Sequence, residues 1–159
     1  MAKLTHLDSE GRARMVDVTE KDVTQRIAVA KGTVFMRPET LKLILEQKVE
    51  KGDVFSVARV AGIMAAKKTP ELIPMCHPLN ISSVEIDLIP RENPARVEIE
   101  AGVKVAGKTG VEMEAMTAVA VCGLTVYDMC KAVDREMAVG EIRLVKKSGG
   151  KSGTFIRKE

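Results

Sequence analysis

Aromatic side chains are nearly missing from this chain, which has no Trp, one Tyr and three Phe among 159 residues. A surface that holds single-stranded nucleic acid by stacking needs such rings. The stretches that read best as central strands, 81 to 89 and 96 to 106, contain none. Net charge is only +3, which admits an anionic ligand but lacks the strongly basic face that tracks a phosphate backbone. Nucleic acid is therefore not expected as a partner. Cysteine is also scarce. Cys76, Cys122 and Cys130 are odd in number and lack a framework spacing, which fits a reducing compartment. With His6 and His77 as the only histidines, Cys76-His77 has no second ligand cluster to complete a zinc site, and no metal is expected. No N-terminal stretch resembles a leader peptide. The longest apolar run, Ala115 to Val126, falls well short of the roughly twenty residues that span a bilayer. The expectation is a cytoplasmic protein with no membrane association.

What is present describes a packed globular chain: hydrophobic residues make up 45% and charged residues 30%, too apolar for a disordered body. One domain over residues 1–159 is expected, with a loosely ordered arm over 1–14 and a Gly/Lys-rich tail over 148–159. Met15 to Val18 alternates, and a second alternating run from about Thr24 to Met36 suits a strand. Arg37-Pro38-Glu39-Thr40 opens a helix, with proline early and an acid in the first turn. Asp53 is placed to cap another, whose Val54, Val57, Ala58, Ala61, Met64 and Ala65 follow the 3.6-residue period. Pro74 and Pro78 make residues 72–79 an extended connection. Ile81 to Ile89 and Val97 to Val105 alternate as the two arms of a hairpin around the turn 90–94.

The stretch from Gly110 to Met137 reads as a long helix. Thr109 with Glu112 three residues later has the pattern of a capping box, and the middle is apolar on nearly all sides, so something must cover both faces. A second subunit is the simplest cover. Glu141 to Lys146 is the last strand. The order is βαββαβ, predicting an α+β, ferredoxin-like fold with an antiparallel sheet and helices packed on one face.

Several residues carry possible chemistry. Asp128 and Lys131 are three apart, on one helix face and within mutual reach. They suit either an acid–base pair or a solvated ion pair; flanking apolar residues suggest partial desolvation. Glu112 and Glu114 point to different helix faces at a spacing of two. Glu114 and Asp128 stand about 21 Å apart along a straight helix, so one small ligand touching both requires two chains or an extended molecule. His77, between Cys76 and Pro78, suits a ligand contact or a structural turn. Residues 102 to 109 match the Walker A pattern, but the strand alternation runs straight through Gly102, and a separate Walker B strand is missing; a phosphate loop is not expected there. Residues 146 to 153, with Lys146, Lys147 and Lys151 among glycines, read as a polyanion cradle or a flexible basic tail.

Taken together, Lys51-Gly52-Asp53-Val54, the run 58–67, Leu72 to Leu79, Gly107 to Ala115, Tyr127-Asp128-Met129-Cys130-Lys131-Ala132 and Lys147 to Gly153 closely resemble the MoaC family, over a range from Met15 to Phe155. Met75 and Met116 stand where Leu is expected and Thr154 where an acid is frequent; these touch packing and the tail. The resemblance implies conversion of a cyclic dihydro-GTP to cyclic pyranopterin monophosphate with release of pyrophosphate, in molybdenum-cofactor biosynthesis. It also implies a homohexamer, a trimer of dimers with interfacial sites. No cofactor is expected to be required; Mg²⁺ is possible but not predicted. By that likeness Asp128 and Lys131 are the acid–base pair. Met75, Cys76, His77, Met113 and Glu114 contact substrate, and Lys51, Glu112 and Lys147 complete the pocket. Asp17, Lys21 and Arg26 reach in from a neighbour, and Lys151 joins the phosphate cradle.

Overall fold

The computed structural model describes residues 8–158; His6 and the first seven residues of the expected arm lie outside them. The elements run β1 (Thr24–Phe35), α1 (Pro38–Leu45), α2 (Val54–Lys67), α3 (Thr69–Leu72), β2 (Ile81–Glu92), β3 (Ala95–Gly107), α4 (Glu112–Cys130), β4 (Ala138–Ser148) and β5 (Phe155–Ile156). The strands form one antiparallel sheet in the order β2-β3-β1-β4-β5. This is the α+β, ferredoxin-like arrangement expected, extended by a short edge strand.

Strand alternation divides the sheet into two faces. Ala28, Ala30 and Val34 of β1 share one with Val97, Ile99, Ala101, Val103 and Val105 of β3, all buried. Helix α4 lies across this face, and α2 packs beside it over β2. Small residues set the approach: a Cβ on Gly32 would meet Val119, and one on Gly62 would crowd Ile86 and the Ala118 carbonyl. The opposite face carries Lys104–Glu85, Lys31–Glu100 and Arg91–Glu98 pairs at 3.3, 3.4 and 3.0 Å. Exposed pairs of this kind contribute about 0–1 kcal/mol each, so this face is solvated and helices occupy only the other.

Asp53 caps α2 as expected, its carboxylate accepting from the Ser56 N–H at 3.1 Å. The capping box at Thr109 does not form. Helix α4 has Val111 at its N-cap position with no side-chain bond, because Glu112 turns away to pair with Lys147 at 2.8 Å. Residues 15–18 join no strand. The hairpin arms run further than expected, leaving only Asn93-Pro94 between them. The chain end is also more ordered than a tail: Phe155 and Ile156 pair with Lys147 and Lys146. Long and apolar enough to cross a membrane, α4 is instead a core helix, covered by the sheet beneath and α2 alongside. What stays exposed in this layer is Leu124 of α4, with Val57, Val60 and Met64 of α2.

Candidate active site

Helix α4 places chemistry at both of its ends. At the C-terminal end, Asp128 Oδ1 accepts from Lys131 Nζ at 2.6 Å, and its Oδ2 accepts from Lys51 Nζ at 2.8 Å. Lys51 also donates to the Asp128 backbone carbonyl at 2.9 Å. Lys51 arrives from the loop between α1 and α2, where Gly52 takes a left-handed φ of 97° that a side chain disfavours. The two lysines, Lys131 first, pull the Asp128 carboxyl down to about 2, while Asp128 raises Lys131 above the ordinary lysine value. The partial desolvation expected of this pair is not found in the protomer: Asp128 and Lys131 are 55% and 53% exposed, because the flanking apolar residues point into the core. Such an exposed pair adds little stability. It does keep a carboxylate ionised beside two ammonium groups.

The N-terminal end opens on a cavity of about 330 Å³ lined by Lys21, Met75, Cys76, His77, Glu112, Met113 and Glu114, with Val16 and Val18. The proline-bounded connection between α3 and β2 delivers Met75 to His77, the first turn of α4 delivers Glu112, Met113 and Glu114, and the segment before β1 delivers Val16, Val18 and Lys21. Glu112 and Glu114 therefore share one cavity despite their spacing, since Glu112 is the first helical residue and bends back over Gly110, where a Cβ would meet its carboxylate. Glu114 is 3% exposed; burial raises its carboxyl above the ordinary range, and the Glu112 charge adds to this. Burial, and then Glu114, raises the Cys76 thiol.

Beside this cavity lies a polar one of about 210 Å³ with Lys21, Arg26, Lys108, Glu112 and Lys147 on its wall. Another, of about 490 Å³, is lined by Lys21, Arg26 and Lys151. Sequence reasoning gave no role to Lys108, which donates to the Thr19 carbonyl at 2.7 Å and ties the 17–21 segment to the wall; it stood only inside the rejected Walker A pattern and the family-like run from Gly107 to Ala115. Arg26 spends two donors on the Gly107 and Lys108 carbonyls, at 3.0 and 3.1 Å, so it shapes the loop before α4. Asp17 lines none of these cavities: the Thr19 hydroxyl and N–H occupy its carboxylate at 2.7 and 2.9 Å, and hold it below the ordinary range. Among the described residues, no group of three or more His, Cys, Asp and Glu side chains is placed to hold a metal ion.

The profile of the MoaC family matches residues 15–150. The chain belongs to the MoaC family. It is 65% identical to a cyclic pyranopterin monophosphate synthase of Pelotomaculum thermopropionicum, with 99% of this chain and 93% of that protein covered. It is 62% identical to one of Parvibaculum lavamentivorans over 98% of each. A synthase of the same name from Thermomicrobium roseum is 60% identical over all of this chain and 96% of its own. In this MoaC chain the expected site residues other than Asp17 fall into two groups. Lys51, Asp128 and Lys131 gather at one end of α4. Met75, Cys76, His77, Glu112, Met113 and Glu114 gather at the other, joined by Lys21, Arg26, Lys147 and Lys151 in the adjoining basic cavities.

Proposed function

We propose that this chain converts a cyclic dihydro-GTP to cyclic pyranopterin monophosphate and pyrophosphate, as a phosphorus–oxygen lyase of molybdenum-cofactor biosynthesis in the cytoplasm. The observation that carries this is the split of the site residues between the two ends of α4, about 21 Å apart by helical rise. Neither end is a complete site: one holds an ionised carboxylate with lysines, the other a pocket with a buried carboxyl and a cationic annex. The natural completion is a second copy, with the Asp128 end of one protomer facing the Glu114 end of another, repeated in a homohexamer built as a trimer of dimers. The names carried by relatives along the whole chain support the same reaction.

The chemistry follows from these parts. A substrate hydroxyl gives up its proton as its oxygen bonds to the α-phosphorus, the bond from that phosphorus to the bridging oxygen breaks, and pyrophosphate leaves with the electron pair and takes up a proton. Charge develops on the departing oxygens, where Lys51, Lys131 and Lys147 act as preorganised cations. Ring rearrangement needs a base and an acid close together; Asp128 ionised and Lys131 protonated are those forms. No cofactor is required, and repeating the assay with a chelator reads any contribution of Mg²⁺.

The test is incubation with the cyclic dihydro-GTP while pterin and pyrophosphate are measured together. The parent chain releases both in equal amounts. Lys131→Ala and Asp128→Asn fold and assemble but yield neither; near-normal turnover in either variant contradicts the assignment.

A further inference from the structure

Two carboxylates among the described residues are fully buried, Glu114 and Asp134, and only the first belongs to a cavity. Asp134 lies past the end of α4 and is 1% exposed. Its Oδ2 accepts from the Arg37 N–H at 3.0 Å and from the hydroxyl of buried Thr40 at 2.9 Å. Its Oδ1 accepts from the Glu136 N–H at 3.2 Å and stands 3.4 Å from Arg37 Nε. The Arg37 guanidinium in turn donates to the Val133 carbonyl.

These bonds join the turn after α4 to the start of α1. Helix α1 has no side-chain cap of its own, and its first amides want an acceptor and a negative charge; Asp134 supplies both from the far end of the chain. The turn is fixed at its other points as well. The Lys131 N–H donates to the Tyr127 carbonyl at 2.8 Å, and the Val133 and Asp134 amides donate to the Cys130 carbonyl at 3.0 and 3.1 Å. The Tyr127 hydroxyl donates to the Arg135 carbonyl at 3.2 Å. The path then closes on itself. From Asp134 it passes into α1, out through the loop that carries Lys51, back to Asp128, and along α4 to Lys131.

We propose that Asp134 is a positioning residue of the acid–base half-site, clamping α1 to the turn after α4 and so fixing where Lys51 and Lys131 stand relative to Asp128. For stability alone a carboxylate buried against a half-exposed arginine is a costly choice, since its charge must be taken out of water. A charge kept in place with four polar contacts sets a geometry instead. The inference rests on Asp128 and Lys131 being the reacting pair, and its test includes a readout independent of turnover.

In the full-length chain, the side-chain carboxyl carbon of Asp128, assigned by its loss in Asp128→Asn, is titrated by NMR in the parent and in Asp134→Asn. The charged groups facing Asp128 are Lys131, just past the end of α4, and Lys51 from the α1–α2 loop; Tyr127 and Cys130 are the other titratable groups nearby. Loosening the clamp moves both lysines away, so Asp128 titrates at higher pH in Asp134→Asn, and kcat falls about 10²-fold, the scale of a misplacement near 1 Å. Arg37→Met, at a half-exposed position, keeps the backbone donor to Asp134 but cuts the tie to Val133, and gives a smaller shift in the same direction. A folded Asp134→Asn with the parental Asp128 titration overturns the proposal. If that variant does not fold, a parental titration in Arg37→Met overturns it. A shifted titration in a chain whose parent does not turn over the substrate sustains the clamp and removes the reaction instead.

Discussion

Glu114 shows what burial does to a single carboxyl. Its folded-state pKa is raised, first by desolvation and then by Glu112, so the folded chain holds this proton more tightly than the unfolded chain does. Stability on this account falls as pH rises from the ordinary carboxylate value through the raised one, and the loss persists at neutral pH. Glu114→Gln, similar in size and uncharged, therefore melts higher than the parent near pH 7.5, and the difference closes below about pH 4, where the parent is protonated too. Thermal unfolding at both pH values checks this; a parent that is the more stable at pH 7.5 contradicts it. Asp128 has the opposite sign. Its lowered pKa favours folding above the ordinary carboxylate value, and that effect is lost as pH falls toward about 2, so the pair with Lys131 is fully charged at neutral pH. Cys76 gives a third expectation. A thiol raised by burial and by Glu114 is a poor nucleophile at neutral pH, so iodoacetamide alkylates it more slowly than free cysteine; faster reaction would make it a candidate nucleophile rather than a pocket wall.

At the scale of elements, the crossing of α2 and α4 depends on Gly62. Alanine there improves helix propensity by about 1 kcal/mol, but its Cβ would stand 3.0 Å from the Ala118 carbonyl and 2.5 Å from Ile86 Cδ1. Overpacking of this kind costs about 1–3 kcal/mol, so Gly62→Ala lowers the urea midpoint; an unchanged or higher midpoint shows that the helices can part without cost. The same elements show what was legible beforehand. Asp53 and the alternation of residues 81–105 are local signals, and the cap and hairpin form where they predict. The Thr109–Glu112 box is an equally local signal, but Lys147 outcompetes it from β4. Helix α3 and strand β5 span four and two residues, too short for any period to register. Asp134 left no trace for a related reason: its partners Arg37 and Thr40 lie more than ninety positions earlier, and only the folded sheet brings them together. The site residues were named as a set through family likeness, yet their division into two groups was foreshadowed by helical rise alone.

The whole molecule is organised around α4, whose middle is core and whose two ends carry the two groups of proposed site residues. If two copies complete each site, defects at opposite ends complement one another. Lys131→Ala lacks the acid–base end in every protomer, and His77→Ala removes a wall of the pocket at the other end. In a mixed dimer, one interface joins the intact Lys131 end of the second variant to the intact His77 end of the first. The direct measurement is turnover of the cyclic dihydro-GTP by the two inactive variants, co-expressed at equal level and purified as a mixed assembly. Random pairing makes half of the dimers mixed, each with one whole site, so about a quarter of parental activity returns. Activity no higher than that of either variant alone contradicts the composite site.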